Sequence, residues 1–340
     1  MRDARASAGP RIGIVLGGGG VGGLAFHAGV LMALHRDLGW DARDADVIAG
    51  TSAGSIVAGL LRADVAPEDL AAWATDALPT SGGEQFRTLM KHSDQMPRSR
   101  SMPVPTMPGR VTFRLLAHPT QVPSAMMSLL PNGMADQAAR LAVMHGLLQG
   151  WPSRPMWISA VRVGDGRLTW FGQTASPRPS GPGSMYVDVA RSEPVAPADA
   201  IAASCAIPLL SRPVRIGKHR YVDGGIRSPT NADVLAVHDL DLAIVLSPMG
   251  HALSHLRSSP ARRLAQRRLA HEVRVLRSHN VDVQVVSPDA ATLKAMGWNM
   301  LERNNTAAVM RAAFLGTAVQ LHAATITTLR RARQSTSVAS

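Results

Sequence analysis

The amino-acid sequence predicts an α/β fold built on a mainly parallel, doubly wound sheet. Two strand-like runs, 11–16 and 47–49, each lead into a glycine-rich turn and then into a helix-period pattern. Strand–loop–helix–strand–turn–helix is the opening of such a sheet, because parallel strands need a crossover helix between them. A length of 340 residues with 46% hydrophobic content supplies a full core for it.

The first strand, residues 11–16, reads as buried on both faces and runs into Gly17-Gly18-Gly19-Gly20-Val21-Gly22-Gly23. The helix that follows places Leu24, Ala28, Leu31, Leu34 and Leu38 on one face and stops at Gly39. The strand–Ser52–helix unit comes next, then a helix opening at Pro67, a favourable first helical residue. Between about residues 80 and 155 the pattern changes. Pro97, Pro103, Pro105, Pro108, Pro119, Pro123 and Pro131 interrupt it, and only Met134 to Leu148 has helical character. This stretch is expected to be a poorly regular, lid-like insertion whose methionines either make adaptable contacts or fill an irregular core.

Regular structure is expected to resume with a hairpin, 157–163 and 168–171 around Gly164-Asp165-Gly166, and a short helix over 197–204. A second hairpin, 213–216 and 219–222, delivers Asp223-Gly224-Gly225. Strands at 242–246 and 281–286 flank a basic helix over 261–278, and a last long helix covers about 303–328. The domain reading is a disordered N-terminus (1–10), one main domain (11–330) containing the insertion, and a polar tail (331–340). Trp40, Trp151, Trp157, Trp170 and Trp298 are expected in the core or the hairpins.

Composition excludes several function classes. Aromatic residues at 4% are too few for a single-strand nucleic-acid stacking platform, so no nucleic acid is expected as a partner. The single cysteine, Cys205, rules out an internal disulfide and a Cys-based zinc site, and is expected to be a packed residue. Residues 1–10 are polar and charged, with no apolar segment of a secretory signal. The longest apolar stretch, 307–321, is broken by Arg311 and Gln320 and reads as a buried or interfacial helix. Net charge is +12, and Arg257 to Arg277 holds seven arginines against one acid, Glu272. That segment could dock on an anionic membrane or be a solvated amphipathic helix. The expected location is cytoplasmic or peripheral to a membrane.

Chemistry concentrates at Gly50-Thr51-Ser52-Ala53-Gly54. A strand that turns sharply into a helix is strained and crowded, so small residues are needed two positions either side of the serine. The turn lifts the Ser52 hydroxyl out of the sheet edge to a helix N-terminus, making it the candidate nucleophile. A serine hydroxyl needs a base and needs donors for the oxyanion it creates. Successive amides of the glycine loop supply the donors, although its G-x-G-x-x-G register fits both 17–22 and 18–23. Dinucleotide-binding folds use similar loops, but the second strand here ends in a serine elbow and not in a ribose-binding acid. The base is either a histidine, with His219 the one near a sheet end, or a lone carboxylate, for which Asp223 in Asp-Gly-Gly is better placed.

In this order the glycine loop, the G-T-S-A-G elbow and D-G-G resemble the patatin-like phospholipases, Ser–Asp dyad lipid acyl hydrolases. His27-Ala28-Gly29-Val30-Leu31, Ala203-Ser204-Cys205-Ala206-Ile207-Pro208 and Ser228-Pro229-Thr230-Asn231-Ala232 extend the match. The resemblance covers about 11–63 and 157–250 well, the C-terminal third loosely, and 80–155 hardly. It implies a three-layer α/β/α fold, Ser52 as nucleophile, Asp223 as general base, and the amides of Gly18, Gly19 and Gly20 as the oxyanion hole. Gly50, Gly54, Gly224 and Gly225 are the motif glycines. It implies a lipid ester substrate and no metal or other cofactor, while peripheral contact with an anionic membrane is expected from the basic charge. Family members usually carry Arg or Lys in the glycine loop, where this chain has Val21, Gly22 and Gly23. An acyltransferase or thioesterase using the same pair, and a lipid-binding relative without turnover, are the alternatives.

Overall fold

The computed structural model describes residues 9–77, 133–172, 184–188, 195–251 and 260–339. Among the described residues nine strands form one sheet: β1 (Ile12–Leu16), β2 (Val47–Gly50), β3 (Met156–Arg162), β4 (Leu168–Gly172), β5 (Ser184–Asp188), β6 (Val214–Ile216), β7 (His219–Asp223), β8 (Leu242–Leu246) and β9 (Asp282–Val286). The main path runs β5-β4-β3-β2-β1-β8-β9, with the β6–β7 hairpin joined to β3. From β3 through β2, β1 and β8 to β9 every pairing is parallel. The β3–β4 and β6–β7 hairpins are antiparallel, as their turn sequences predict, whereas β5 was not foreseen.

Strand alternation makes two cores. Ile12, Ile14 and Leu16 of β1 point to one face, packed by α1 (Gly20–Leu38), α2 (Ala53–Arg62), α3 (Pro67–Ala74) and α6 (Pro197–Ser204). The short helices α4 (Gln137–Arg140) and α5 (Met144–Leu147) lie on the same side, through Leu141 and Met144. Val15 of β1, with Val47 and Ala49 of β2, points to the other face, where α7 (Pro260–Ser278) contributes Leu269 and Leu276. Apolar side chains covered on both faces explain why these strands read as continuous hydrophobic runs. The layers are therefore α/β/α.

α1 ends as the sequence predicts: Gly39 adopts a left-handed φ of 67° and returns its N–H to the carbonyls of His35 and Leu34. After β9 come α8 (Ala290–Met296), α9 (Thr306–Gln320) and α10 (Ala323–Ala339). The single helix expected over about 303–328 is thus two, bent by 103°. The break is held by Gln284, buried on β9. Its amide donates to the Gln320 carbonyl at 3.0 Å and accepts from the His322 N–H at 2.9 Å, serving the end of one helix and the start of the next. α10 carries its backbone through residues 331–339, the segment read as a polar tail. Expectations for 1–8, 78–132 and 340 lie outside the described residues. No single described helix is long and apolar enough to cross a membrane. Trp298, expected in the core, is 96% exposed, because it sits in the loop between α8 and α9.

Candidate active site

Ser52 stands between β2 and α2 with φ 53° and ψ −123°, a positive φ that a side-chain-bearing residue adopts only under constraint. The constraint is visible in its neighbours. A Cβ on Gly54 would fall 1.9 Å from the Leu16 carbonyl oxygen, and one on Gly50 would fall 2.6 Å from the Ser55 Cα. The two flanking glycines are therefore steric requirements of the turn. The Ser52 amide donates to the Ser204 hydroxyl at 2.8 Å, while the Ser55 hydroxyl donates to the Ser52 carbonyl at 2.6 Å. The elbow is pinned on both sides, and its hydroxyl is left to face Asp223.

β3 brings the two residues together. One edge of β3 pairs with β4 along 158–161, so its other edge must accept both β2 and β7. β2 runs parallel to it and ends with Gly50 opposite Ile158; β7 runs antiparallel and ends with Asp223 opposite Ala160. Two strands thus approach head to head along one edge and deliver Ser52 and Asp223 to the gap between them. Ser52 and Asp223 lie near enough across this gap for the Ser52 hydroxyl to favour the charged form of the Asp223 carboxyl. The Gly225 N–H donates to Asp223 Oδ1 at 2.7 Å. Gly224 needs its missing side chain, since a Cβ there would lie 2.2 Å from Ser159 Oγ. Beneath the gap, Ser159 Oγ shares a 2.8 Å hydrogen bond with Thr51 Oγ1.

Burial dominates the electrostatics. Asp223 is 5% exposed, and loss of water pushes its carboxyl from 3.8 up to about 6, against the opposing pull of the Ser52 and Gly225 hydrogen bonds. A base in that range suits proton transfer near neutral pH. The Cys205 thiol is pushed up to about 12 by burial and donates to the Ser52 carbonyl at 3.4 Å. It is a packed residue, not a thiolate.

The glycine loop lies directly beside the serine: a Cβ on Gly18 would come 3.1 Å from Ser52 Cβ. Of the three amides expected as oxyanion donors, that of Gly18 is committed to the Pro229 carbonyl at 2.7 Å. Gly18 therefore provides close approach and no free donor. The Gly19 and Gly20 amides precede the first intrahelical bond of α1, which runs from Gly23 N–H to the Gly19 carbonyl, and Gly20 takes a left-handed φ of 59°. These two remain as candidate donors at a helix N-terminus.

Three further residues have roles at the site that the sequence reading did not assign. His27, fully buried on α1, hydrogen-bonds the Gly17 carbonyl through Nε2 at 2.7 Å, and burial lowers its pKa to about 4. It is a neutral prop for the glycine loop. Asn231 bridges the two halves, donating to the Gly224 and Ser228 carbonyls and to Thr51 Oγ1. Glu272 of α7, buried, accepts from Thr230 Oγ1 and the Ala232 N–H, so the basic helix is anchored behind the Asp223 turn and is not simply solvated. Only the contact partners reveal these roles.

No histidine takes the base position from Asp223 among those whose partners are defined. His35 bonds Glu68, His145 faces Asp199, and His238 accepts from Trp157. His219 begins β7, four residues before Asp223, which at about 3.3 Å per residue puts it roughly 13 Å away. Among the described residues no group of three or more His, Cys, Asp or Glu could hold a metal ion.

Comparison with known proteins adds a family. The model of the Patatin-like phospholipase family matches residues 14–236, which include every residue of the site described above except Glu272. Among solved structures, VipD from Legionella pneumophila aligns with a TM-score of 0.44 at 15% identity, covering 92% of this chain and 67% of that one. No curated protein matches the chain.

Proposed function

The chain belongs to the patatin-like phospholipase family, and from that premise we propose that it hydrolyses carboxylic esters of lipids through Ser52, with Asp223 as general base. The observation that carries the proposal is the meeting of a strained serine and a buried carboxylate at the ends of β2 and β7. Asp223 accepts the Ser52 proton as Oγ attacks the ester carbonyl. The carbonyl oxygen gains the negative charge and is held by the Gly19 and Gly20 amides, each contributing on the order of 3 kcal/mol to transition-state stabilisation. Collapse breaks the ester C–O bond, and the proton held on Asp223 passes to the departing alcohol. The acyl group is left on Ser52. Asp223 then deprotonates a water molecule, which attacks the acyl-enzyme, and the proton returns to Ser52 as the fatty acid leaves. No step calls for a metal or an organic cofactor. Peripheral contact with an anionic lipid surface and a cytoplasmic location belong to the same proposal, supported by the net charge of +12.

The test is hydrolysis of a panel of p-nitrophenyl esters and phospholipids by the wild type, Ser52→Ala and Asp223→Asn. We expect turnover by the wild type only, with both variants folded by circular dichroism. Retained hydrolysis in Asp223→Asn would move the base elsewhere, and transfer of the acyl group to an acceptor alcohol or thiol in place of water would make the enzyme an acyltransferase.

A further inference from the structure

The loop over residues 297–305 carries Trp298, 96% exposed and the most exposed large apolar side chain among the described residues, and Leu301, 48% exposed. This loop rests on the glycine loop. The Gly22 N–H donates to the Met300 carbonyl at 2.9 Å, and the space a Gly20 Cβ would occupy is bounded by that carbonyl at 2.8 Å and by Leu301 Cδ2 at 2.9 Å. Two apolar side chains held in water are thus fastened to the segment that offers the Gly19 and Gly20 amides.

A cationic face begins at the same place. Arg262, in the first turn of α7, donates to the Pro248 and Gly250 carbonyls and lies 3.5 Å from Met300 Sδ, tying that helix end to the loop. From there α7 turns Arg263, Arg267, Arg274 and Arg277 outward, while its one acid, Glu272, is buried. The helix therefore presents positive charge with no acid interspersed.

We propose that residues 298–301 are a lipid-interface anchor. Trp298 and Leu301 enter the headgroup boundary of an anionic bilayer, and the outward arginines of α7 meet its headgroups. Tryptophan suits that boundary, because its ring is apolar and its N–H remains free to bond. Charge complementarity selects an anionic bilayer over a neutral one, each basic residue near such a surface adding to binding. Two side chains on one short loop are too small a patch for a stable protein interface, which buries about 800 Å² per partner. Docking in this way would bring the lipid surface to the mouth of the Ser52 site. That link to turnover rests on the hydrolase reading; the docking itself does not.

The experiment is co-sedimentation of the full chain, in a Ser52→Ala background so that lipid is not consumed, with phosphatidylcholine vesicles containing or lacking phosphatidylglycerol. The parent is expected to bind the mixed vesicles, less so as salt is raised, and the neutral ones weakly. Trp298→Ala should weaken binding about tenfold, as should Leu301→Ser, the scale expected when one such side chain no longer leaves water. Replacing Arg263 and Arg267 together by serine should weaken binding and flatten its salt dependence. Unchanged vesicle binding by folded Trp298→Ala and Leu301→Ser would overturn the proposal, as would equal binding to neutral vesicles. Self-association that Trp298→Ala abolishes, with vesicle binding intact, would assign the loop to a second copy of the chain and also overturn it. Vesicle binding lost in Trp298→Ala alongside a wild type that cleaves no ester would sustain the anchor and remove the hydrolase reading.

Discussion

At the scale of the residue, an Asp223 carboxyl pushed up to about 6 by burial divides its time between acid and carboxylate just below neutral pH. Only the carboxylate can take the Ser52 proton. We expect kcat/KM for a soluble ester to fall about tenfold per pH unit below pH 6 and to level off above it, read from a pH–rate profile. The same displacement has a stability consequence of opposite sense. Because the folded pKa lies above the unfolded value, the folded state binds more protons between about pH 4 and 6, so stability falls as pH rises through that window. Raising the pKa from 3.8 to about 6, at about 1.4 kcal/mol per pH unit, is a penalty on the order of 3 kcal/mol at pH 8. Asp223→Asn carries no charge to bury. It should be inactive yet more stable than the wild type at pH 8, with the difference shrinking toward pH 4, as denaturant melts at the two pH values would register. The turns that carry Ser52 and Asp223 were legible in the sequence because the glycines either side of Ser52 and those after Asp223 have a steric cause. The engagement of the Gly18 amide by Pro229 was not, since nothing near Gly18 in the chain announces a carbonyl from the other side of the site.

At the scale of the element, the glycine spacing makes a sharp prediction. In Gly54→Ala the new methyl would meet the Leu16 carbonyl at 1.9 Å, with backbone on both sides and no flexible side chain to yield. We expect a loss of roughly 3 kcal/mol or more, the upper end of overpacking effects, together with loss of activity from a displaced elbow. The break between α9 and α10 offers a second test. Gln284→Ala leaves the Gln320 carbonyl and the His322 N–H without their partner, and thermal unfolding should report a loss of about 2 kcal/mol or more. The hairpins and the glycine-capped end of α1 were readable because their signals are local: turn residues, strand alternation, a left-handed terminus. The break after Gln320 was not readable, because no glycine or proline stands over 317–339 to mark it and the capping amide comes from β9. β5 was missed for a similar reason. Its pairing to β4 is parallel, so no tight turn marks it in the sequence.

At the scale of the whole molecule, the site exists because β3 accepts a parallel strand and an antiparallel strand end to end on one edge. The mainly parallel sheet follows from apolar runs and crossover lengths and was legible; the three layers came only through the family resemblance, and the strand order around β1 was not read from the sequence. The head-to-head meeting is a register fact, and register is decided by how the faces of three strands match at once. Folding thus sets Asp223 opposite Ser52, although the two lie far apart in the sequence. The most direct measurement is intact-protein mass after treatment with a fluorophosphonate, which reacts with activated serines. One adduct on Ser52 is predicted in the wild type, none in Ser52→Ala, and strongly slowed labelling in Asp223→Asn. Undiminished labelling of Asp223→Asn, or an adduct that persists in Ser52→Ala, would contradict the pairing of these two residues.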